Sequence, residues 1–251
     1  MEYSWSKIKE LIQDKMRSAA FVSDNVNEIL RAFNLGLDRI NAGDTGDKQQ
    51  RMVGFEFQKK ITNVSYSTTT GHNYTFTTLS IDSNTFKFPS DLRINSDEDK
   101  HFTYREPNFW FRKHGTRGST EPMYAIVFNA NTRTLKINHS VTETLNFEYY
   151  TTDMVLDNDA STRRAHIDGL SDSDTLLIPD QFIDIPLNFA ISELYGIKKQ
   201  YNDPECLIFE QKAQNRLKAM INSLGTYERM PVQGISIHSE WGRGLQRISR
   251  T

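Results

Sequence analysis

Apolar residues recur with a helical period near both ends of this chain and with a period of two in between. After Ser23, a possible helix start, apolar residues fall at intervals of three and four: Val26, Ile29, Leu30, Phe33, Leu37 and Ile40. This spacing places them on one face of an amphipathic helix. A shorter helix is predicted before it, capped by Ser4 or Ser6 and with Ile8 and Ile12 on a shared face.

A second pair of helices is predicted towards the other end. Asp184 is a capping residue with Pro186 in the first turn after it, and this helix is expected to reach about Tyr201. Asp203 and Pro204 start the next helix, which Gly225 ends. We expect the two pairs to form one helical bundle. Its predicted core consists of Val26, Ile29, Leu30, Phe33, Leu37, Phe209, Leu217 and Met220.

Between the helices, from Met52 to Tyr150, large apolar residues alternate with polar ones. The alternating sets include Val53 with Phe55, Tyr124 with Ile126 and Phe128, and Leu145 with Phe147 and Tyr149. We expect six to eight short antiparallel strands. So many strands bury their inner face only as a second sheet or by closing, which predicts an inserted antiparallel β-sandwich or barrel. The predicted fold class is therefore α+β.

Four regions follow from these patterns. They are the N-terminal helices (1–50), the inserted β domain (51–156), the helical hairpin that completes the bundle (157–225) and an extended C-terminal arm (226–251). The arm lacks a clear period yet carries many large apolar groups, which is unusual for a solvated tail. We expect it to order on a partner surface; the alternative is a final strand of its own domain. Its proposed contact residues are Met230, Ile235, Ile237, Trp241, Arg243, Leu245, Arg247, Ile248 and Arg250.

Composition limits the function without defining it. The net charge is −2, which argues against a globally basic nucleic-acid binder. The single cysteine, Cys206, makes no disulfide within the chain and is typical of a protein from a reducing cytoplasm.

Catalytic and metal-binding patterns are weak. The six histidines are scattered, and no Gly-rich phosphate loop opens a helix. Asp157, Asp159 and Ser161 partly match a calcium loop, but Thr162 stands where glycine is needed and Asp168 where glutamate is usual. We expect no enzyme activity, cofactor or metal. A basic loop formed by Arg112, Lys113, His114 and Arg117 is a possible contact to DNA or to a neighbouring subunit.

The order of elements resembles a known family. The helix near residues 23–41 is followed by the segment Phe86 to Asp91 (Phe-Lys-Phe-Pro-Ser-Asp), a strand at Tyr124, and a strand ending at Phe147 to Tyr150. Ile178 to Phe182 (Ile-Pro-Asp-Gln-Phe) and two helices come after it. This order is similar to that of the head-to-tail adaptor (connector) proteins of tailed bacteriophages, of the tail tubular protein A type found in short-tailed phages.

The resemblance implies a structural virion protein without enzyme activity. Family members form a ring, of about twelve copies, beneath the portal vertex of the capsid. They connect the portal protein to the tail tube or nozzle protein and surround a channel through which DNA passes without sequence specificity. The implied location is the head–tail junction of the virion, after assembly in the host cytoplasm. We expect the isolated chain to be monomeric and the ring to form on the portal.

A second function remains open from the sequence. The β domain could be a carbohydrate- or receptor-binding module carried on a helical stalk of a phage tail. That function requires an exposed aromatic patch, for which Phe109, Trp110 and Phe111 are candidates. A buried strand or a contact between subunits is the other interpretation of these three residues.

Overall fold

A computed structural model describes residues 3–17, 24–46, 52–69, 72–108, 110, 122–129, 132–157, 162–199, 201 and 203–227. Within these residues the chain forms four helices and several sheets that are almost entirely antiparallel, so the predicted α+β class is confirmed. The contacts divide the described chain into two units. One unit, the helical unit, contains the residues up to Lys60 and those from Tyr150 onwards, and the other, the β unit, is Ile61–Tyr149.

The four helices all belong to the helical unit. They are α1 (Trp5–Met16), α2 (Val26–Ala42), α3 (Asp184–Lys198) and α4 (Pro204–Leu224). The Ser4 side chain caps α1 by accepting from the backbone N–H of Lys7, and Asp203 caps α4 by accepting from the N–H of Glu205. Asp184 was predicted to cap α3. It is instead the first helical residue, and its carboxylate accepts from Arg216 at 3.1 Å.

Helix α3 lies at the centre of the helical unit and packs against α1, α2 and α4. Ten of its fifteen residues are buried, so it is covered on nearly all sides rather than along one stripe. The approach of α2 is close at Gly36, where an added Cβ would lie 3.0 Å from the carbonyl oxygen of Pro186. Both ends of the chain therefore build one hydrophobic core around α3.

The structure describes every residue of the predicted bundle core. Ile29, Phe33, Leu37, Leu217 and Met220 are buried, and Leu30 and Phe209 are partly buried against the same core. Val26 is 42% exposed and does not contribute, which corrects the predicted core. The reason is its position as the first residue of α2, one turn before the helix meets α3.

Eight strands lie wholly or partly in the β unit. They are β2 (Lys59–Tyr66), β3 (Asn73–Thr75), β4 (Phe86–Ile94), β5 (Asp97–His101), β6 (Thr103–Tyr104), β7 (Met123–Asn129), β8 (Thr132–Asn138) and β9 (Glu143–Thr151). They form two four-stranded sheets, in the orders β2-β9-β4-β5 and β3-β8-β7-β6. Only β6 and β7 pair in parallel among the pairings described. Residues of both sheets, such as Val64, Tyr124 and Phe147, form one hydrophobic cluster.

Shorter strands complete the helical unit. These are β1 (Val53–Phe55), β10 (Val155–Leu156), β11 (Arg163–Arg164), β12 (Thr175–Leu176) and β13 (Gly225–Tyr227). Val53, Phe55 and Val155 lie in the helical core although the sequence placed 51–156 in the β insert. Val53, Phe55 and Val155 are buried in the core that the helices form, which the strand period alone does not reveal.

The predicted arm begins later than the sequence indicated. Gly225 ends α4 in an extended conformation, and Gly225–Tyr227 pairs antiparallel with Val53–Phe55. Thr226 and Tyr227 are therefore a strand of the helical unit. The rest of the arm lies outside the described residues.

Buried polar groups mark the place where the chain leaves the helical unit and returns to it. Gln58 Nε2 donates to Asn41 Oδ1 at 2.7 Å, and its carbonyl oxygen accepts from Thr151 Oγ1 at 3.0 Å. The ammonium of Lys60 lies 2.6 Å from the fully buried carboxylate of Asp153. These bonds fix both crossing segments to α2, which carries Asn41.

We predict that Phe33→Ala and Leu217→Ala each lower the free energy of unfolding by about 2 to 5 kcal/mol, because each leaves a cavity in the core around α3. Urea titration followed by circular dichroism measures the loss. Leu35→Ala, on the same helix as Phe33 but 40% exposed, is the matched control and should cost less than about 1 kcal/mol. Equal losses for Phe33→Ala and Leu35→Ala would mean that the core is misassigned.

One buried lysine lies in the β unit, within the Phe86 to Asp91 segment. Lys87 on β4 is 8% exposed, and burial lowers the pKa of its ammonium from 10.5 to about 7. Between these values the unfolded chain binds a proton at this site that the folded chain does not. The contribution of Lys87 to the free energy of unfolding therefore rises with pH in this window.

We predict that the stability advantage of Lys87→Met over the wild type, largest near pH 7, shrinks as the pH is raised to about 10. Urea titrations of both proteins across this range test the sign. Lys136→Met, on β8 of the same unit and half-buried, serves as the control. A Lys87→Met advantage that stays constant with pH would show that Lys87 is protonated in the folded protein.

Candidate functional site

The most exposed large apolar side chain described in the helical unit is Leu170, which is 90% exposed. It follows Gly169, whose φ of +77° suits glycine and strains other residues. The backbone N–H of Leu170 donates to Asp168 Oδ1 at 2.8 Å, which closes a tight turn. The chain therefore projects a leucine into solvent from a turn of defined shape.

Side chains of α2 hold this turn, which we call the Leu170 turn (residues 166–170). Asn34 Nδ2 donates to the carbonyl oxygen of Ile167 at 2.8 Å, and Asn34 Oδ1 accepts from the N–H of Ile167 at 3.0 Å. One turn further along the helix, Asp38 Oδ1 lies 2.7 Å from Nε2 of His166. The side chain of Ile167 is buried in the helical core. The turn is thus held by paired polar bonds and by one apolar anchor.

Ion pairs around Arg164 also hold the Leu170 turn. The guanidinium of Arg164 contacts Asp157 at 2.9 Å and Asp174 at 3.0 Å, and it also pairs with Asp168. The hydrogen bond from the N–H of Leu170, together with Arg164, lowers the pKa of Asp168. Burial raises the pKa of Asp174, against the effect of Arg164. Three carboxylates that are separate in the sequence therefore converge on one arginine.

This cluster contains two carboxylates of the segment that was compared with a calcium loop. Asp157 and Asp168 face Arg164, while Asp159 lies outside the described residues. Within the described ranges, no group of three or more His, Cys, Asp or Glu side chains is arranged to hold a metal ion.

An open groove runs along α2 beside the Leu170 turn. It has a volume of about 520 Å³ and is lined by Asn27, Leu30, Arg31, Asn34, Leu35 and Asp38. Leu30 borders the turn directly, since a Cβ added to Gly169 would lie 2.7 Å from Leu30 Cδ2. Leu35 is 40% exposed in the groove. We call the groove and Leu170 together the α2 face.

The α2 face has the features of an interaction surface. Exposed leucines lie beside polar groups, and hydrogen bonds already fix the backbone of the Leu170 turn. Asp24, Glu28 and Asp38 are exposed carboxylates on or next to α2, against one exposed cation, Arg31. A partner with apolar anchors and a net positive charge suits this surface.

The sequence did not reveal this surface. Its residues come from α2 and from residues 166–170, which the sequence assigned to the region of the helical hairpin (157–225). The one local signal is the pair Asp168 and Gly169, which is typical of a turn. The contact with Asn34 depends on the fold.

Most of the functional residues predicted from the sequence lie outside the described residues. This holds for the arm residues from Met230 to Arg250 and for the loop of Arg112, Lys113, His114 and Arg117. Trp110 is described, and it is 3% exposed and packs with Met123 and Ala125. It does not supply the exposed aromatic patch that a carbohydrate- or receptor-binding module requires.

Comparison of the sequence with models of protein families and with curated proteins found no match. In the part of the chain that the structure describes, no helix combines the length and the apolar character needed to cross a membrane.

We predict that Asn34→Ala speeds hydrogen exchange at the Ile167 amide by about tenfold or more, because the amide loses its acceptor and the turn loses a second bond. Hydrogen exchange followed by NMR measures this rate. Asn27→Ala, an exposed asparagine of the same groove, is the control and should leave the rate unchanged. Unchanged exchange in Asn34→Ala would show that the turn does not depend on α2.

Proposed function

We propose that this chain is a structural virion protein, a head-to-tail adaptor that forms a ring under the portal vertex of a tailed phage. In this role it links the capsid to the tail. It also forms part of the channel that retains DNA after packaging and releases it during ejection. The function is structural, without enzyme activity or a cofactor.

The observation that carries the proposal is the order and construction of the elements. Helices from both chain ends share one core around α3, and the β unit is inserted between them. The segment Phe86 to Asp91 lies on β4, and a short 3-10 turn, Asp180–Phe182, leads into α3. This is the element order on which the resemblance to the adaptor family rests.

A ring requires that each copy offers two different surfaces, since head-to-tail contacts join unlike patches. The α2 face supplies one apolar surface in the helical unit. The arm beyond Tyr227 supplies a second, with anchors such as Trp241, Leu245 and Ile248. In our proposal the ring has about twelve copies, as in the family it resembles.

The proposed partners follow from the same reasoning. The arm binds the portal protein, and the opposite side of the ring receives the tail tube or nozzle protein. DNA passes through the channel without sequence-specific contacts. A net charge of −2 suits this passage, because a strongly basic lumen would hold phosphates through counterion release.

The basic loop has a supporting role in this proposal. Arg112, Lys113, His114 and Arg117 would contact either the DNA or acidic residues of an adjacent subunit, such as Asp172. Assembly takes place in the host cytoplasm, and the final location is the head–tail junction. We propose no second function, because the buried Trp110 does not favour the carbohydrate-binding alternative.

We predict that a chain ending at Tyr227 folds and no longer binds portal rings, because β13 is kept and the arm is removed. Cosedimentation with portal measures binding, and thermal denaturation checks the fold. A chain of full length with residues 228–251 in scrambled order is the matched control and should also lose binding. Portal attachment by the shortened chain at the wild-type level would refute the role of the arm, and wild-type protein that ignores portal would refute the adaptor function.

A further inference from the structure

We propose that, in the ring, the last residues of one copy dock on the α2 face of the next copy as an amphipathic helix. The docking residues are Trp241, Leu245 and Ile248. This inference rests on the proposed ring and names the contact that joins its subunits. It divides the arm, because the part nearer the body, with Met230, Ile235 and Ile237, is left for the portal.

The spacing of the three anchors supports this assignment. Trp241, Leu245 and Ile248 are four and three residues apart, the separation of neighbours on one helical face. Arg243, Arg247 and Arg250 fall on the opposite side of the same helical projection. An apolar stripe of this kind is how a helix binds in a groove.

The α2 face offers the matching receptor. Its groove is bordered by Leu30 and Leu35, and Leu170 stands at its edge on a turn that Asn34 and Arg164 hold in place. An aromatic anchor beside a fixed, exposed leucine buries apolar surface on both sides. Since the receptor is already rigid, ordering costs fall mainly on the docking segment.

The docking segment and the α2 face carry opposite net charges. Residues 240–251 contain three arginines and one glutamate, a formal net charge of +2. Among the exposed charged residues on or next to α2, Asp24, Glu28 and Asp38 stand against Arg31, a formal net charge of −2. This complementarity favours encounter of the two surfaces and lowers the affinity at high salt.

The described chain ends at a distance from the contact between α2 and α4. Arg39, which follows the groove residue Asp38, pairs with Glu210 of α4, and the arm departs after β13, which follows the far end of that helix. Fourteen residues of helix separate Glu210 from Leu224, or roughly 21 Å. The exit and the receptor are thus separate surfaces of the helical unit, as the head-to-tail contact of the proposed ring requires. The 13 residues from 228 to 240 span up to about 45 Å when extended, about twice this length.

A mixing experiment with two full-length variants tests this contact. One variant, Trp241→Ala/Leu245→Ala/Ile248→Ala, keeps the α2 face and has no anchors. The other, Leu170→Asp, keeps the anchors and has a disrupted face. Analytical ultracentrifugation at high protein concentration measures assembly, since Gly242 and Gly244 oppose helix formation and make a single contact weak.

At this high concentration we expect the wild type, which is monomeric when dilute, to self-associate and each variant alone to be at least tenfold weaker. An equal mixture of the two variants should form a discrete pair, because one intact face meets one intact set of anchors. Leu207→Asp, 51% exposed on α4 of the same unit, is the control and should assemble like the wild type. Leu35→Asp provides a second disrupted face if Leu170→Asp does not fold.

Two results would overturn the proposal. One is a mixture that stays monomeric, which would follow if the anchors dock on their own copy or on the portal alone. The other is wild-type assembly that neither variant weakens. Portal is absent from this measurement. If the two variants pair but the wild-type chain does not bind portal, the adaptor function is refuted and the contact between copies still holds.

Discussion

The burial of α3 is the constraint on which the rest of the structure depends. Ten of its fifteen residues are buried, so it needs neighbours on nearly every side. Among the described helices, the C-terminal half of the chain supplies α4 as a neighbour, and α1 and α2 come from the first 42 residues. The two ends of the chain must therefore meet for α3 to be buried. Everything between them becomes an insertion, and the β unit is that insertion.

Buried polar bonds hold the two segments of the helical unit that precede and follow the insertion. Gln58, just before β2, and Thr151, at the end of β9, are bonded to each other and, through Asn41, to α2. Apolar packing alone tolerates small shifts of register, whereas a buried amide with specific partners does not. The positions of Gln58 and Thr151 within the helical unit are thus set by these bonds.

Much of the helical unit could be predicted from the sequence, because amphipathic stripes and caps are local signals. The stripe of α2, the Asp203 cap and the core positions Phe33 and Leu217 are of this kind. The boundaries of the insert could not, because Val53 and Val155 look like strand residues and only the fold shows that helices bury them. The Leu170 turn could not be predicted either. It depends on hydrogen bonds from Asn34, which is far from the turn in sequence, and on the ion pairs of Arg164. Val26 lies on the predicted apolar face of α2 and is nevertheless exposed. The helical period does not show how far along the helix its neighbours extend.

The two ends of the chain carry the proposed functional surfaces as well as the shared core. The groove of the α2 face lies on α2, near the N-terminal end, and the arm follows α4 and β13, so a subunit whose ends separated would lose its geometry for assembly. Native-state hydrogen exchange in low denaturant tests this unity most directly. The account predicts that the slowest amides of α2 and α4 exchange through one opening, with the same free energy and the same dependence on denaturant. Exchange of α4 through a lower-energy opening, while α2 stays protected, would contradict it.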